Sequence, residues 1–512
     1  MAATASVDLL IVGGGVNGCG IARDAAGRGL SVLLVEQDDL ASHTSSASTK
    51  LIHGGLRYLE HGEFRLVREA LIERERLLGI APHIIRPLRF ALPQGQSPRR
   101  AWMVRLGLFL YDHLGGRKTL PGTATVRLDR STLGNGLKPQ AGLAFMFSDC
   151  RVDDSRLVVL TALDAAERGA RILTRTRLIE AERDRDAWVA QIEQAGTRQS
   201  VRARALINAA GPWVSELLDR VHGAASSGGV RLVKGSHIVV PKLYEGEHAF
   251  MLQNPDRRIV FAIPYEDRFT LIGTTDVPWE GPPGPAAISE AEVEYLCDSI
   301  NLYFERQIDR TQIAWSYAGI RSLHEDHAAS ASAVTRDYVL ECDAPNGGPP
   351  LLSVFGGKIT THRRLAEHAM EQLAPHLAIG KAWTADACLP GGDIPGGDYR
   401  RFVDAICDQY DAMPPSLVAR LAGAYGSRVG HILGASRVVD DLGRHFGGGL
   451  YQAEVDYLVA FEWARTAEDV LFRRSKLGLH VPLGADEALQ AYLGAAAGTV
   501  EGRSESMGAR PA

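Results

Sequence analysis

An α/β fold whose first domain is a doubly wound, Rossmann-type unit is predicted by three observations. An apolar run at residues 7–12 enters a glycine-rich turn, the turn opens a helical stretch, and a second apolar run ends in an acid. Later alternating segments predict an antiparallel-sheet second domain. Helical periodicity from about Pro390 predicts an all-helical C-terminal domain.

The run 7–12 reads as a buried strand and leads into Gly13-Gly14-Gly15-Val16-Asn17-Gly18. This is GxGxxG, with Gly13 for the tight turn, Gly15 for approach of backbone to a pyrophosphate, and Gly18 for close packing of the helix 19–28. The helix start offers N–H groups to phosphates. A second strand, 31–35, ends at Glu36, 21 residues after Gly15. About 20 is the spacing expected for a carboxylate on the adenosine ribose. The acid disfavours a 2′-phosphate, which sets NADP aside and leaves FAD and NAD.

The 512 residues exceed one hydrophobic core, and 45% hydrophobic with 23% charged residues is a globular balance. A net charge of -5 argues against nucleic acid as the main partner. The 6 cysteines are scattered without a CxxC pair, which excludes a disulfide framework, a zinc site and a dithiol centre, and predicts no metal and a reduced, intracellular setting. Residues 1–6 lack a signal-peptide pattern, and no apolar run reaches the ~18 residues of a spanning helix.

The stretch Thr44-Ser45-Ser46-Ala47-Ser48-Thr49-Lys50-Leu51-Ile52-His53-Gly54-Gly55-Leu56-Arg57-Tyr58-Leu59 is dense in hydroxyls, glycines and cations for a loop. It resembles the flavin-contacting segment of the FAD-dependent glycerol-3-phosphate dehydrogenases and oxidases, within the wider group of glycine oxidase and D-amino-acid oxidase. Further motifs resemble that family in order: LGLFLYDHLG within 102–115, SDCRVDD at 148–154, NAAGPWV at 208–214, KGSHIVVP at 234–241, GTTD at 273–276, TRDY at 335–338 and SVFGGKITT at 353–361. The nearest branch is the respiratory, quinone-reducing one.

The resemblance implies FAD as cofactor, held by Gly13, Gly14, Gly15, Asn17, Gly18, Glu36, Thr44, Ser45, Ser46, Lys50, Leu51, His53, Gly54, Gly55, Ala210, Gly211, Trp213, Gly356, Gly357, Lys358 and Thr360. It implies oxidation of sn-glycerol 3-phosphate to dihydroxyacetone phosphate by hydride transfer to FAD, with a respiratory quinone as next acceptor. Dioxygen, as in the oxidases, stays the alternative. Arg57, Tyr58, His237, Arg321, Arg336 and Lys358 would surround the substrate, because a phosphate dianion needs several cations and guanidinium pairs with it bidentately. His53 is the first candidate base and His237 the second, while Arg321 and Lys358 would stabilise developing negative charge. Ser322 follows Arg321 where the family pattern usually has proline; with the arginine kept, slightly altered local rigidity and no loss of the site are expected. His43 has no assigned chemistry.

By the same resemblance the FAD domain is discontinuous, at about 1–85, 145–225 and 318–380, with 86–144 and 226–317 building the substrate domain. Residues 258–263 and 269–273 read as its strands, joined by a turn at Asp267-Arg268. Helices are expected around 416–425 and 453–463, with a capping box at Thr466-Ala467-Glu468-Asp469. The helical domain would cover 390–493 and a disordered tail 494–512. Apolar and aromatic residues at 102–111, flanked by Arg99, Arg100, Arg117 and Lys118, suit an interfacial helix on anionic lipid. The expected location is cytoplasmic, on the inner face of the cytoplasmic membrane. Substrate, quinone, that membrane surface and, as an option, a second copy of the chain are the partners.

Overall fold

The computed structural model describes residues 5–95, 97–139, 142–224, 229–324 and 337–500. The chain forms two units, 1–389 and 390–512. At the centre of the first lie five parallel strands, β1 (Ala5–Val12), β2 (Val32–Val35), β3 (Arg171–Leu173), β4 (Thr197–Asn208) and β5 (Leu351–Phe355). Their spatial order is β3-β2-β1-β4-β5, the doubly wound order. β2 and β5 are buried along their whole length, as are the C-terminal ends of β1 and β4, because both faces of the sheet are covered there. Leu10 and Val12 join a core with Leu33, Leu178, Trp188 and Leu217, while Leu9 and Ile11, on the alternate face, are fully buried as well.

Helix α1 (Val16–Gly27) packs against the helices Asp154–Glu167 and His362–Leu373. A buried Arg23–Asp164 ion pair at 2.5 Å ties α1 to the first, and Arg23 also donates to the Ala387 carbonyl. The strand order reverses between β1 and β4. The crevice beyond the C-terminal ends of these strands is where such sheets bind ligands.

The second sheet is antiparallel except for one parallel pair, Ala249–Gln253 with Ile85–Pro93. Strands Ile259–Tyr265 and Phe269–Gly273 form the expected hairpin. Its core gathers Ile238, Phe250, Ile272 and Phe304 under the helix Glu290–Asn301, whose N-terminus Ser289 and Glu292 close with a capping box. The short strand Leu51–Ile52 pairs with Leu143–Val152 at the edge of this sheet. The polar segment after β2 thereby runs from the first sheet to the second, and its side chains fall between the two.

The second unit holds the helices Tyr399–Gln409, Pro415–Tyr425, Gln452–Phe461 and Ala485–Val500, with Leu421, Tyr425, Val455, Leu458 and Leu489 in its core. Thr466 and Asp469 exchange the two hydrogen bonds of the capping box. Two features depart from expectation. A two-stranded hairpin, His445–Gly447 with Leu450–Tyr451, interrupts the helices, its turn made by Gly447, Gly448 and Gly449 at positive φ. The last helix runs past Gly494, where the tail was expected to begin, to Val500; residues 501–512 lie outside the described ones.

Leu421 is 1% exposed in the core of the second unit. Leu421→Ala should cost about 2–5 kcal/mol, read as a lowered denaturation midpoint of the second unit. An unchanged midpoint would contradict this packing.

Candidate active site

The site begins where β1 ends. Gly13, at φ +117, has no room for a side chain, since a Cβ there would lie 2.4 Å from the Ala209 carbonyl oxygen. A Cβ on Gly18 would lie 1.9 Å from the Gly13 oxygen. Gly15 is different, for its face is bounded only by the Ser45 hydroxyl, at 3.2 Å from such a Cβ. Ser45 accepts the Val16 N–H at 3.0 Å, at the first turn of α1. Glu36 accepts the N–H groups of Gly14 at 2.6 Å and Asp38 at 2.8 Å. Burial pushes its carboxyl above the usual range, and those two N–H groups oppose the shift.

Two cavities follow from this geometry. A small one, about 120 Å³, lies by Glu36, Ala41, His43, Ala210 and Trp213. A larger one, about 510 Å³, is lined by Asn17, Leu51, His53, Arg57, Tyr58, His237, Arg321, Gly356, Gly357, Lys358 and Thr360, among others. Gly15, Thr44, Ser45, Ala209, Gly211 and Pro212 line both, so the two are parts of one trench. His43, which had no assigned role, packs its ring on Trp213 at 4.6 Å and reaches Asp38 at 2.8 Å.

Several expected residues stand behind the wall. Gly14 and Gly18 shape the turn. Ser46 donates to the His43 carbonyl, and Gly54 donates its N–H to Tyr111. Gly55, at φ +75, supports the Tyr58 ring. Lys50 is buried, bonded to Asp154 at 2.9 Å and to the Ser46 carbonyl, with its ammonium over the Tyr317 ring at 4.9 Å. An ammonium held this way fixes the segment and does not face the trench. Arg336 lies outside the described residues.

The side chains at the wider end of the trench come from four places. The turn Leu56–His61 carries Arg57 and Tyr58, and the Lys358 ammonium stands 4.0 Å over the Tyr58 ring. Strand Val230–Pro241 carries His237, whose Nε2 bonds Thr49 at 3.0 Å and whose ring stacks on Tyr317 at 4.8 Å. Gly273, opposite His237 in the ladder, leaves the imidazole its space: a Cβ there would lie 2.1 Å away. Strand Trp315–His324 carries Arg321, which bonds the Thr275 carbonyl at 3.3 Å and Asp276 at 2.9 Å. Arg258, Asp276 and Thr274 also line the cavity and were not expected from sequence, although GTTD had been singled out as a motif.

Asn17 Oδ1 and His237 Nδ1 are buried on this wall with no hydrogen-bond partner among the described residues. Together with the open face of Gly15 and the acid at the far end of the trench, they fit an extended, two-headed ligand with a polar ring at one end.

Residues 8–363 match the family described as FAD dependent oxidoreductase, and residues 382–501 match the C-terminal domain of alpha-glycerophosphate oxidase. The chain belongs to the FAD-dependent oxidoreductase family. FAD is therefore its cofactor. Like this chain, a glycerol-3-phosphate dehydrogenase from Bacillus halodurans, solved with FAD, has the fold; at 26% identity it superposes with a TM-score of 0.73 over 92% of this chain and 86% of that one. A glycerol-3-phosphate dehydrogenase of Pseudomonas aeruginosa is 55% identical over 95% of this chain and 94% of its own length. The aerobic glycerol-3-phosphate dehydrogenase of Escherichia coli is 50% identical over 94% and 95%. A D-erythritol 1-phosphate dehydrogenase of Brucella abortus is 52% identical over 94% and 96%.

Gly18→Ala should yield protein that is purified without the yellow flavin absorbance, because the new methyl displaces the Gly13 carbonyl. Retention of full FAD would refute that geometry.

Burial also pushes His83 and His237 down to about 3 and His362 to about 4. Their folded values lie below the ~6.5 of an unfolded histidine, so below that pH the unfolded state binds more protons and stability falls. The melting temperature should drop as pH is lowered from about 6.5. A flat profile through that window would contradict neutral, buried imidazoles.

Proposed function

We propose that the chain oxidises sn-glycerol 3-phosphate to dihydroxyacetone phosphate and passes the electrons to a quinone. One observation carries the reading: Arg57, Arg258, Arg321 and Lys358 line the cavity continuous with the dinucleotide trench, together with His53 and His237. Four cations suit a phosphate dianion, and planar guanidinium forks fix its orientation. FAD, when bound, supplies the two-electron acceptor.

The residues of the chain do the rest. Binding the phosphate at the cationic wall orients the carbinol carbon. His53 is the base for the carbinol proton. Burial lowers its affinity for a proton, Asp149 opposes the shift, and Lys358 and Arg74 add to it. His237, pushed down to about 3, suits a hydrogen-bonding role toward a substrate hydroxyl. The positive charge of Arg321 and Lys358 stabilises the alkoxide as it forms.

The names of the relatives from P. aeruginosa and E. coli support glycerol 3-phosphate. The B. abortus relative, of similar identity, favours a second reading, a four-carbon polyol phosphate. For the acceptor, the helix Ala101–Leu114 supports a membrane quinone. It turns Trp102, Met103, Leu106 and Phe109 outward at 50–62% exposure, and Arg100 and Lys118 beside it are exposed. This composition suits a helix lying in the headgroup region of the inner face of the cytoplasmic membrane. Among the described residues no helix is long and apolar enough to cross a membrane.

Without oxygen, glycerol 3-phosphate should bleach the long-wavelength flavin band, and Lys358→Met should lower kcat/KM roughly a hundredfold. Bleaching by D-erythritol 1-phosphate alone would replace the substrate, and stoichiometric peroxide in air would replace the quinone with dioxygen. The pair Leu106→Glu and Phe109→Glu should abolish co-sedimentation with anionic vesicles. Full retention would remove this helix as the anchor.

A further inference from the structure

The helix that turns Trp102 and Phe109 outward turns Tyr111 inward, to 3% exposure. The Tyr111 hydroxyl accepts the Gly54 N–H at 2.7 Å and donates to Asp149, 2.8 Å from both carboxylate oxygens. Arg74, from the helix Phe64–Ile80, completes the arrangement with a 2.7 Å bond to Asp149 and a 2.9 Å bond to the Ser148 carbonyl. Asp149 and Arg74 are 4% and 3% exposed, so the pair is desolvated and its geometry stiff. The proton order along this line has one solution. Asp149 is a carboxylate beside a guanidinium, so the tyrosine hydroxyl must donate its hydrogen bond to it. The phenol oxygen is then left to accept from Gly54.

Gly54 follows His53, whose own N–H donates to the Thr360 hydroxyl at 3.2 Å. Two consecutive amides around the candidate base are therefore pinned by side chains from distant parts of the chain. The fit is tight, for a Cβ on Gly54 would lie 2.8 Å from the Tyr111 oxygen and 2.4 Å from Leu71.

We propose that Tyr111, held by Asp149 and Arg74, is a positioning residue that sets the orientation of His53 through the Gly54 amide. The proposal rests on the reading of His53 as the base for polyol-phosphate oxidation. The charged groups acting on His53 are Asp149, Lys358 and Arg74. Loss of the tyrosine hydroxyl removes none of them and frees the turn alone.

The test is Tyr111→Phe in the FAD-loaded protein, which deletes one oxygen from a packed ring. Two measurements decide it. In anaerobic rapid mixing with glycerol 3-phosphate, the limiting rate of flavin reduction should fall roughly ten- to hundredfold. Substrate affinity should be nearly unchanged, and the pH midpoint of that rate should move toward the value of an ordinary histidine. Hydrogen exchange at the amides of 53–56 should rise in the variant while the helix Ala101–Leu114 stays protected. Wild-type rates, a loss confined to substrate affinity, or unchanged exchange at 53–56 would overturn the proposal. If the wild-type flavin is not reduced by glycerol 3-phosphate, the substrate reading fails instead, and the exchange measurement still judges Tyr111.

Discussion

The first unit is built around a backbone-on-backbone contact at the point where the strand order reverses. Gly13, Gly18 and Ala209 come so close that a methyl group on either glycine would fall within 1.9–2.4 Å of a carbonyl oxygen. Two hydrogen bonds lock the same place, from the Gly13 amide to Val35 and from the Ala209 amide to Val12. With β1, β2 and β4 joined there, α1 starts at the mouth of the crevice. Glu36 is drawn in to bond the Gly14 amide, and Ser45 takes up the first turn of the helix. The trench is the space that these constraints leave. A side chain at Gly18 would move the helix, and the acid and the hydroxyl that define the trench would move with it.

The cations of the first unit divide by what surrounds them. Arg23, Lys50, Arg74 and Arg363 are buried, each against a carboxylate, and an unpaired charge at such depth would cost several kcal/mol. They hold helices and segments together. Arg57, Arg258, Arg321 and Lys358 line the cavity, Arg258 paired with Asp256 and Arg321 with Asp276. Lys50 and Lys358 looked alike in sequence, each in a polar, glycine-bearing motif. What separates them is Asp154, which is more than a hundred residues from Lys50 and beside it in space. A pairing of that range leaves no local signature, so the motif context alone favoured the cofactor for both.

The same distinction marks what was legible elsewhere. β1, the glycine turn, α1, β2 and Glu36 are contiguous, and each step follows from periodicity and turn chemistry, so the unit could be read as a unit. The hairpin at residues 259–273 and the capping box at Thr466 and Asp469 are local too, and were readable for the same reason. Non-local pairing was not. β3 and β5 reach the parallel sheet from far along the chain, and Ala249–Gln253 lies parallel to Ile85–Pro93 with no turn joining them. The hairpin at His445 was hidden because it is shorter than the helical windows on either side. Around the cavities, residues from dense motifs stand beside Arg258 and His43, to which no role was given because only the fold brings them there.

Asp276 gives the cavity its asymmetry. A carboxylate would repel a phosphate dianion, yet this one stands on the same wall as the cations, 2.9 Å from Arg321. The pairing orients the guanidinium, helped by the Thr275 carbonyl. Lys358 has a different neighbour, the face of the Tyr58 ring. The wall thus has an ammonium over an aromatic ring, at Lys358 and Tyr58, and a group rich in both donors and acceptors, around Arg321, Asp276 and Thr275. Hydroxyl groups both donate and accept, and a carboxylate is the stronger acceptor for them. A polyol phosphate has the same two-ended character, anionic at one terminus and hydroxylated along the rest.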